Sequence, residues 1–157
     1  QQALYGRRAD ITFLSEPTVT RQKQGAVIND FKLHRKKMLL SPLDPDAKVR
    51  ALGGVGAMVT FPRRLIQIEA ITKEFKAALN SGRVGMYGIN LHAGWMLTAF
   101  VLYGYAGGQQ NKKQAARTAK IARAIVAEIS AQPAGYMLIC GEFNNERHPS
   151  KKNIGPT

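Results

Sequence analysis

Cysteine is nearly missing from this chain. Cys140 is the only one in 157 residues, so no internal disulfide and no four-cysteine zinc site can form, and no disulfide-linked partner is expected. No apolar run is long enough for a membrane span. The start, Gln1-Gln2-Ala3, lacks the charged-then-apolar layout of a secretory signal. Together these absences point to a reducing, intracellular setting, with nucleus and organelle both open. The run Gly53-Gly54-Val55-Gly56 lacks the full dinucleotide fingerprint, and no Walker lysine motif exists. Acidic residues are scarce as well.

That scarcity sets the electrostatics. Lys plus Arg number 23 and Asp plus Glu 10, giving a formal net charge of +13. Such an excess on a small domain predicts attraction to polyanions, nucleic acid first. An anionic membrane or a larger protein–nucleic acid assembly comes second. Solubility alone needs less charge than this. A hydrophobic content of 45% supplies a real core and argues against disorder. The length fits one domain.

The segment Asp10-Ile11-Thr12-Phe13-Leu14-Ser15-Glu16-Pro17 reads as a strand. Ile11 and Phe13 share one face; Thr12, Leu14 and Glu16 share the other. Pro17 ends it, because proline cannot donate to a ladder. The stretch from Thr18 to Arg50 is polar and basic, with a patch at His34-Arg35-Lys36-Lys37. Ser41 to Asp46 carries turn chemistry, so the region reads as a surface loop between short extended pieces. A strand is expected after Gly53-Gly54-Val55-Gly56, another over Leu65 to Ile71, and a short helix over Thr72 to Leu79. Val84 to Leu91 and Trp95 to Tyr105 form a hairpin about His92-Ala93-Gly94.

Asn111 to Ser130 gives the clearest helix. Ile121, Ala122, Ile125, Val126 and Ile129 make its apolar stripe, and Lys113, Arg117, Lys120 and Arg123 its basic side. Tyr136 to Cys140 is the last strand. Residues 148–157 read as a basic flexible tail. The order predicts an α/β (α+β) layered sandwich, with helices covering a mixed, mostly antiparallel sheet.

Three places carry chemistry. Glu142 and Asn144 follow a glycine at the end of an apolar strand, spaced to project together from an extended backbone. A carboxylate and an amide there suit a hydrated divalent cation and a phosphate oxygen. Glu16 ends its strand in a similar way, and also reads as a plain solvated carboxylate. Tyr103 and Tyr105 close the hairpin's second strand, where β-favouring aromatics are ordinary. His34, His92 and His148 have no metal-ligand spacing. Cys140 reads as a buried thiol.

Cys140-Gly141-Glu142-Phe143-Asn144 resembles the Gly-Asp-Phe-Asn motif of the endonuclease/exonuclease/phosphatase superfamily, which includes abasic-site and non-LTR retrotransposon endonucleases. Glu142 stands where the family has Asp. The strand ending at Glu16 resembles the family segment whose Glu holds catalytic Mg²⁺. Gly53-Gly54-Val55-Gly56 resembles the opening of a middle strand. Val101-Leu102-Tyr103-Gly104-Tyr105-Ala106-Gly107-Gly108 resembles the aromatic loop that places an active-site tyrosine near the phosphate.

The resemblance implies a partial four-layer nuclease-type fold over residues 1–147, a copy truncated at both ends. It implies catalytic roles for Glu142, Asn144 and Tyr103, and Mg²⁺ at Glu16 and Glu142 if the chain is active, otherwise no cofactor. Lys112, Lys113, Arg117, Lys120, Arg35, Lys36 and Lys37 are the expected nucleic-acid contacts. Glu for Asp shifts the carboxylate by about an ångström, enough to cost roughly a hundredfold in rate. The family's Ser-Asp-His element is also missing from these residues. The expectation is therefore a basic nucleic-acid-binding pseudoenzyme, with an active Mg²⁺-dependent endonuclease completed by other residues as the alternative. A lipid- or inositol-phosphate phosphatase is a third reading that nothing here specifies.

Overall fold

The computed structural model describes residues 9–45, 54–107 and 111–144. Gly53, Gly108, His148 and the expected tail at 148–157 lie outside the described residues. Among the described residues, seven strands and three helices follow in order: β1 (Ile11–Ser15), α1 (Arg21–Leu33), β2 (Lys36–Leu40), β3 (Val55–Thr60), β4 (Leu65–Gln67), α2 (Lys73–Leu79), β5 (Val84–Asn90), β6 (Met96–Tyr103), α3 (Lys112–Ala131) and β7 (Tyr136–Glu142).

The strands make two sheets. One has the order β1-β3-β2 and the other β4-β5-β6-β7. Every pairing is antiparallel except β6 with β7. The parallel pair follows from α3, which carries the chain back across the sheet before β7 begins.

Side-chain alternation builds the layers. Val55, Ala57 and Val59 of β3 meet Tyr87, Ile89, Ala99 and Val101 between the sheets. Met58 and Met38 point the other way, onto Val27 and Phe31 of α1. Phe100 and Leu102 point away from the inter-sheet core, onto Phe75 of α2 and Ile121 and Ile125 of α3. The result is helix, sheet, sheet, helices, which is the four-layer sandwich. Strands β3 and β5 are buried on both faces, so they read as near-continuous small and apolar runs.

Two expectations are corrected. The polar stretch after Thr18 holds a helix and a strand rather than a loop. Only Val27 and Phe31, one turn apart, are buried on α1. So narrow a stripe, in a helix that also contains Gly25, leaves no strong helical period in the sequence. On α3, Val126 is exposed, and the buried line is Thr118, Ile121, Ala124, Ile125 and Glu128. A step of 100° per residue turns Val126 away once Ile125 faces the sheet. The hairpin turn is a short 3-10 segment at His92–Gly94.

Glu128 is fully buried in that line. Its carboxylate accepts from the Ile71 and Thr72 amides, the Thr72 hydroxyl and the Gln132 amide, at 2.7–2.8 Å. It thereby anchors the start of α2, where Thr72 is the N-cap. Strand β7 lies at the other sheet's edge with Tyr136, Leu138 and Ile139 exposed. The Tyr136 ring packs edge-on against Trp95, centroids 5.2 Å apart.

Candidate active site

The ends of β1, β6 and β7 meet on one rim of the sandwich. Glu16 follows β1 directly. Strict alternation would send its side chain with Leu14, toward α1. Its backbone is left-handed instead, with φ 49°, and the carboxylate turns back to the inter-sheet side. There the Tyr103 hydroxyl donates to Glu16 Oε2 at 2.6 Å. Glu142 pairs with Tyr103 in the β6–β7 register, so both carboxylates approach one tyrosine.

The tyrosine registers that environment. Burial, the hydrogen bond to Glu16 and the charges of Glu16 and Glu142 push its pKa up to about 12, opposed by Arg83. Tyr103 is therefore protonated at neutral pH. It holds Glu16 in place as a hydrogen-bond donor.

Glycines let the rim close. Gly141 has φ 127°, and a Cβ there would sit 1.9 Å from the Leu102 carbonyl oxygen. At Gly104 a Cβ would sit 2.1 Å from the Phe143 carbonyl oxygen. No side chain fits either place. The Gly104 amide donates to the Glu142 carbonyl at 2.7 Å, which locks the two strand ends together. Asn144 has φ 52°, so the extended alternation expected to align it with Glu142 stops at the end of β7. Its side-chain amide donates to the Gly104 carbonyl at 2.9 Å.

Sequence reasoning missed the support beneath this rim. Arg83 and Asp44 form a buried ion pair, Nε to Oδ2 at 2.7 Å. Arg83 also donates to the Gly104 carbonyl at 3.2 Å. Its guanidinium lies 5.1 Å from the Tyr103 ring centroid and 4.1 Å from that of Tyr105. Ser41 accepts from the Val55 amide and donates to the Gly82 carbonyl, while the Glu16 and Gly54 amides bind the Gly54 and Gly82 carbonyls. Residues 16, 41, 44, 54 and 83 thus form one knot. Nothing local in the sequence pairs Arg83 with a residue 39 positions away.

The expected basic contacts divide into two places. Lys112, Lys113, Arg117 and Lys120 lie on the half of α3 beside the rim loop. Asn111 caps this helix by accepting from the Lys113 amide at 3.0 Å. Arg117 is not simply on a solvent face, because its guanidinium stacks 4.0 Å from the Tyr105 centroid. A groove of about 860 Å³ between α2 and α3 is lined by Lys73, Tyr105, Arg117, Lys120 and Arg123, with Glu74 as its one acidic residue, over a floor of alanines and Ile121. Arg35, Lys36 and Lys37 lie elsewhere. Lys36 pairs with Thr60, whereas Ser15 pairs with Val55, which puts the patch at the far end of β3, ~15–20 Å from Glu16. Lys36 is buried.

Glu16 and Glu142 fit a magnesium ion by chemistry. Mg²⁺ takes one or two carboxylates and completes its shell with water and phosphate oxygens. Among the described residues no group of three or more His, Cys, Asp and Glu is placed to hold a metal. Cys140 is half-buried, and burial pushes its thiol up to about 11, as suits a packing residue.

The architecture has solved counterparts. ANGEL2, described as a 2′,3′-cyclic phosphatase, superposes at TM-score 0.61 with 14% identity, over 91% of this chain and 41% of that one. The Xenopus laevis APE2 catalytic domain gives 0.61 and 15%, over 94% and 54%. The human Nocturnin catalytic domain, with bound sulfate, gives 0.50 and 13%, over 88% and 52%. The fold is that of the endonuclease/exonuclease/phosphatase superfamily. At these identities the likeness carries the fold, and the chain spans 41 to 54% of those proteins' lengths. No protein-family model matches the sequence, and no curated protein sequence matches it. No helix among the described residues is long and apolar enough to cross a membrane.

Proposed function

We propose that this nuclease-fold domain binds nucleic acid and, as these 157 residues, hydrolyses phosphodiesters poorly or not at all. The observation that carries this is the convergence of Glu16 and Glu142 on Tyr103 with, among the described residues, no histidine at the same rim. Arg83 lies against the Tyr103 ring, and Asp44 and the Gly104 carbonyl already hold it. His34 follows α1, and the His92 backbone lies in the β5–β6 turn, both at the opposite end of the strands. Among the described residues the rim has no histidine to protonate a leaving group, and charge on a non-bridging oxygen would fall to a bound cation and to the Lys112–Lys120 half of α3 beside the rim loop. Preorganised charge of that kind commonly contributes more to such catalysis than any other single effect.

Glu16 and Glu142 would hold Mg²⁺, which when bound polarises a phosphate oxygen and lowers the pKa of water. The chain's own part is narrower. Tyr103 fixes Glu16, Gly141 and Gly104 bring the strand ends together, and the α2–α3 groove draws the phosphate backbone toward them. The excess of cations also suits a place inside a larger protein–nucleic acid assembly.

The test is incubation with labelled duplex, single-stranded and abasic DNA and with RNA, with and without Mg²⁺. Salt-sensitive binding with little or no cleavage is expected. Fast Mg²⁺-dependent cleavage that Glu142→Gln removes would overturn the low-activity reading. Absence of binding to every substrate would overturn the nucleic-acid reading. The intact carboxylate pair favours a second reading, an Mg²⁺-dependent phosphodiesterase completed by further residues. It expects cleavage from a longer protein that contains this domain.

A further inference from the structure

We propose a second nucleic-acid site, specific for single strands, at the end of the sandwich opposite the carboxylate rim. It goes beyond the rim function, although it shares the premise that the chain binds nucleic acid. A groove of about 880 Å³ runs between α1 and β2, the edge strand of its sheet. Lys32, Arg35, Lys37 and Arg63 line it together with Phe61, and none of its lining residues is acidic.

Phe61 is the decisive feature. It is 71% exposed, in the turn that follows the buried strand β3. Its amide donates to the Arg35 carbonyl at 2.9 Å, so the backbone is pinned while the ring faces water. The same ring borders a second depression, of about 360 Å³, lined by Arg63, Arg64 and Asn90 together with Asp10, the partner of Arg63. An aromatic face with cations on both sides matches a stacked base with phosphates before and after it.

The blander uses account for less of this. Lysine on an edge strand discourages strand pairing, which explains Lys37. It leaves an exposed phenylalanine at the same edge unexplained. Arg63 is bridged to Asp10 at 3.0 Å, yet its Nε is buried with no hydrogen-bond partner. An A-form or B-form duplex hides its base faces, so stacking on Phe61 requires an unpaired base. A membrane surface would call for a protruding apolar patch, whereas Phe61 borders a concave groove in which Ile28, Met38 and Leu39 are set among Lys32, Arg35, Lys37 and Arg63.

The experiment is fluorescence anisotropy on the whole chain with short labelled oligothymidylate, oligouridylate and a duplex of equal length. Phe61→Ala is expected to lower single-strand affinity about 5- to 100-fold and to leave duplex affinity within about twofold. Lys37→Glu should weaken single-strand binding and flatten its salt dependence. The thymidylate and uridylate arms separate DNA from RNA preference. Wild-type single-strand affinity in Phe61→Ala overturns the proposal while leaving the rim function standing. Equal losses on duplex and single strand also overturn it, as does Phe61-dependent capture by phosphatidylserine vesicles without single-strand binding. If the wild type binds no nucleic acid at all, both proposals fall together.

Discussion

The two ends of this sandwich use charge in opposite ways. At the rim, Arg83 is buried against Asp44, and its guanidinium is enclosed by Tyr103, Tyr105 and the Gly104 carbonyl. At the far end, Lys32, Arg35 and Lys37 are exposed along a groove edge. The first arrangement shapes a site and the second is available to a ligand. A net charge of +13 does not separate them. Position in the layers does, since only charge that keeps its hydration can exchange it for phosphate.

Breaking the rim's locked charge should have the largest effect. Asp44→Ala leaves Arg83 buried without its carboxylate, and such a loss costs ~3–5 kcal/mol. Urea denaturation should show it as a lower midpoint with an unchanged slope. Asp44→Leu with Arg83→Met should cost less than either change alone, because an apolar pair has no uncompensated charge. A loss near zero for Asp44→Ala would mean that the rim is not built on this pair.

Gly141→Ala comes next. The new methyl would need room held by the Leu102 carbonyl, and the backbone conformation disfavours any side chain. About 2–4 kcal/mol is expected. A melt that matches the wild type would show that the β6–β7 ends do not approach as described.

Much of the fold was legible, and the reasons are particular. β3, β5 and β6 announce themselves as apolar runs bounded by glycine or turn residues. Most of α3 shows a clean 3.6-residue stripe, and the parallel β7 follows from it. Glu16 and Glu142, each at a strand end, could be marked as candidates from position alone. Their approach to one rim was legible only through the family resemblance and not from position, because it depends on a left-handed backbone at Glu16 and on a register between strands far apart in sequence. α1 was illegible, since two buried residues carry it. Arg83 was illegible too, since a buried arginine looks like any surface arginine until its partner is known. Glu128 carries the same lesson, a charged residue in a helix core line that composition assigns to solvent.

Glu128 also gives a pH test away from both ends. Burial pushes its carboxyl up, but the Thr72 hydroxyl, the Ile71 and Thr72 amides and Gln132 outweigh that, so the net shift is downward. A carboxylate lowered by folding adds stability above its unfolded value, and the contribution is lost as pH falls through the folded one. Acid should therefore loosen the α2–α3 contact. Glu128→Gln should cost about 1–3 kcal/mol at neutral pH and flatten the acid limb of a stability–pH curve. A variant as acid-sensitive as the wild type would move the cause to another group.

The smallest stability effect belongs to the far end. Arg63 and Asp10 bridge at 3.0 Å, but Asp10 is largely exposed. Surface pairs of this kind contribute below ~1 kcal/mol. Asp10→Asn should barely move the melting temperature. It should nevertheless raise single-strand affinity, by removing a negative charge beside the groove and freeing Arg63 for phosphate. Anisotropy titrations at two salt concentrations check both halves, since the gain should be larger at low salt. A melt that falls sharply would place this pair with the locked charge of the rim. An unchanged affinity would leave Arg63 as a surface residue with no part in binding.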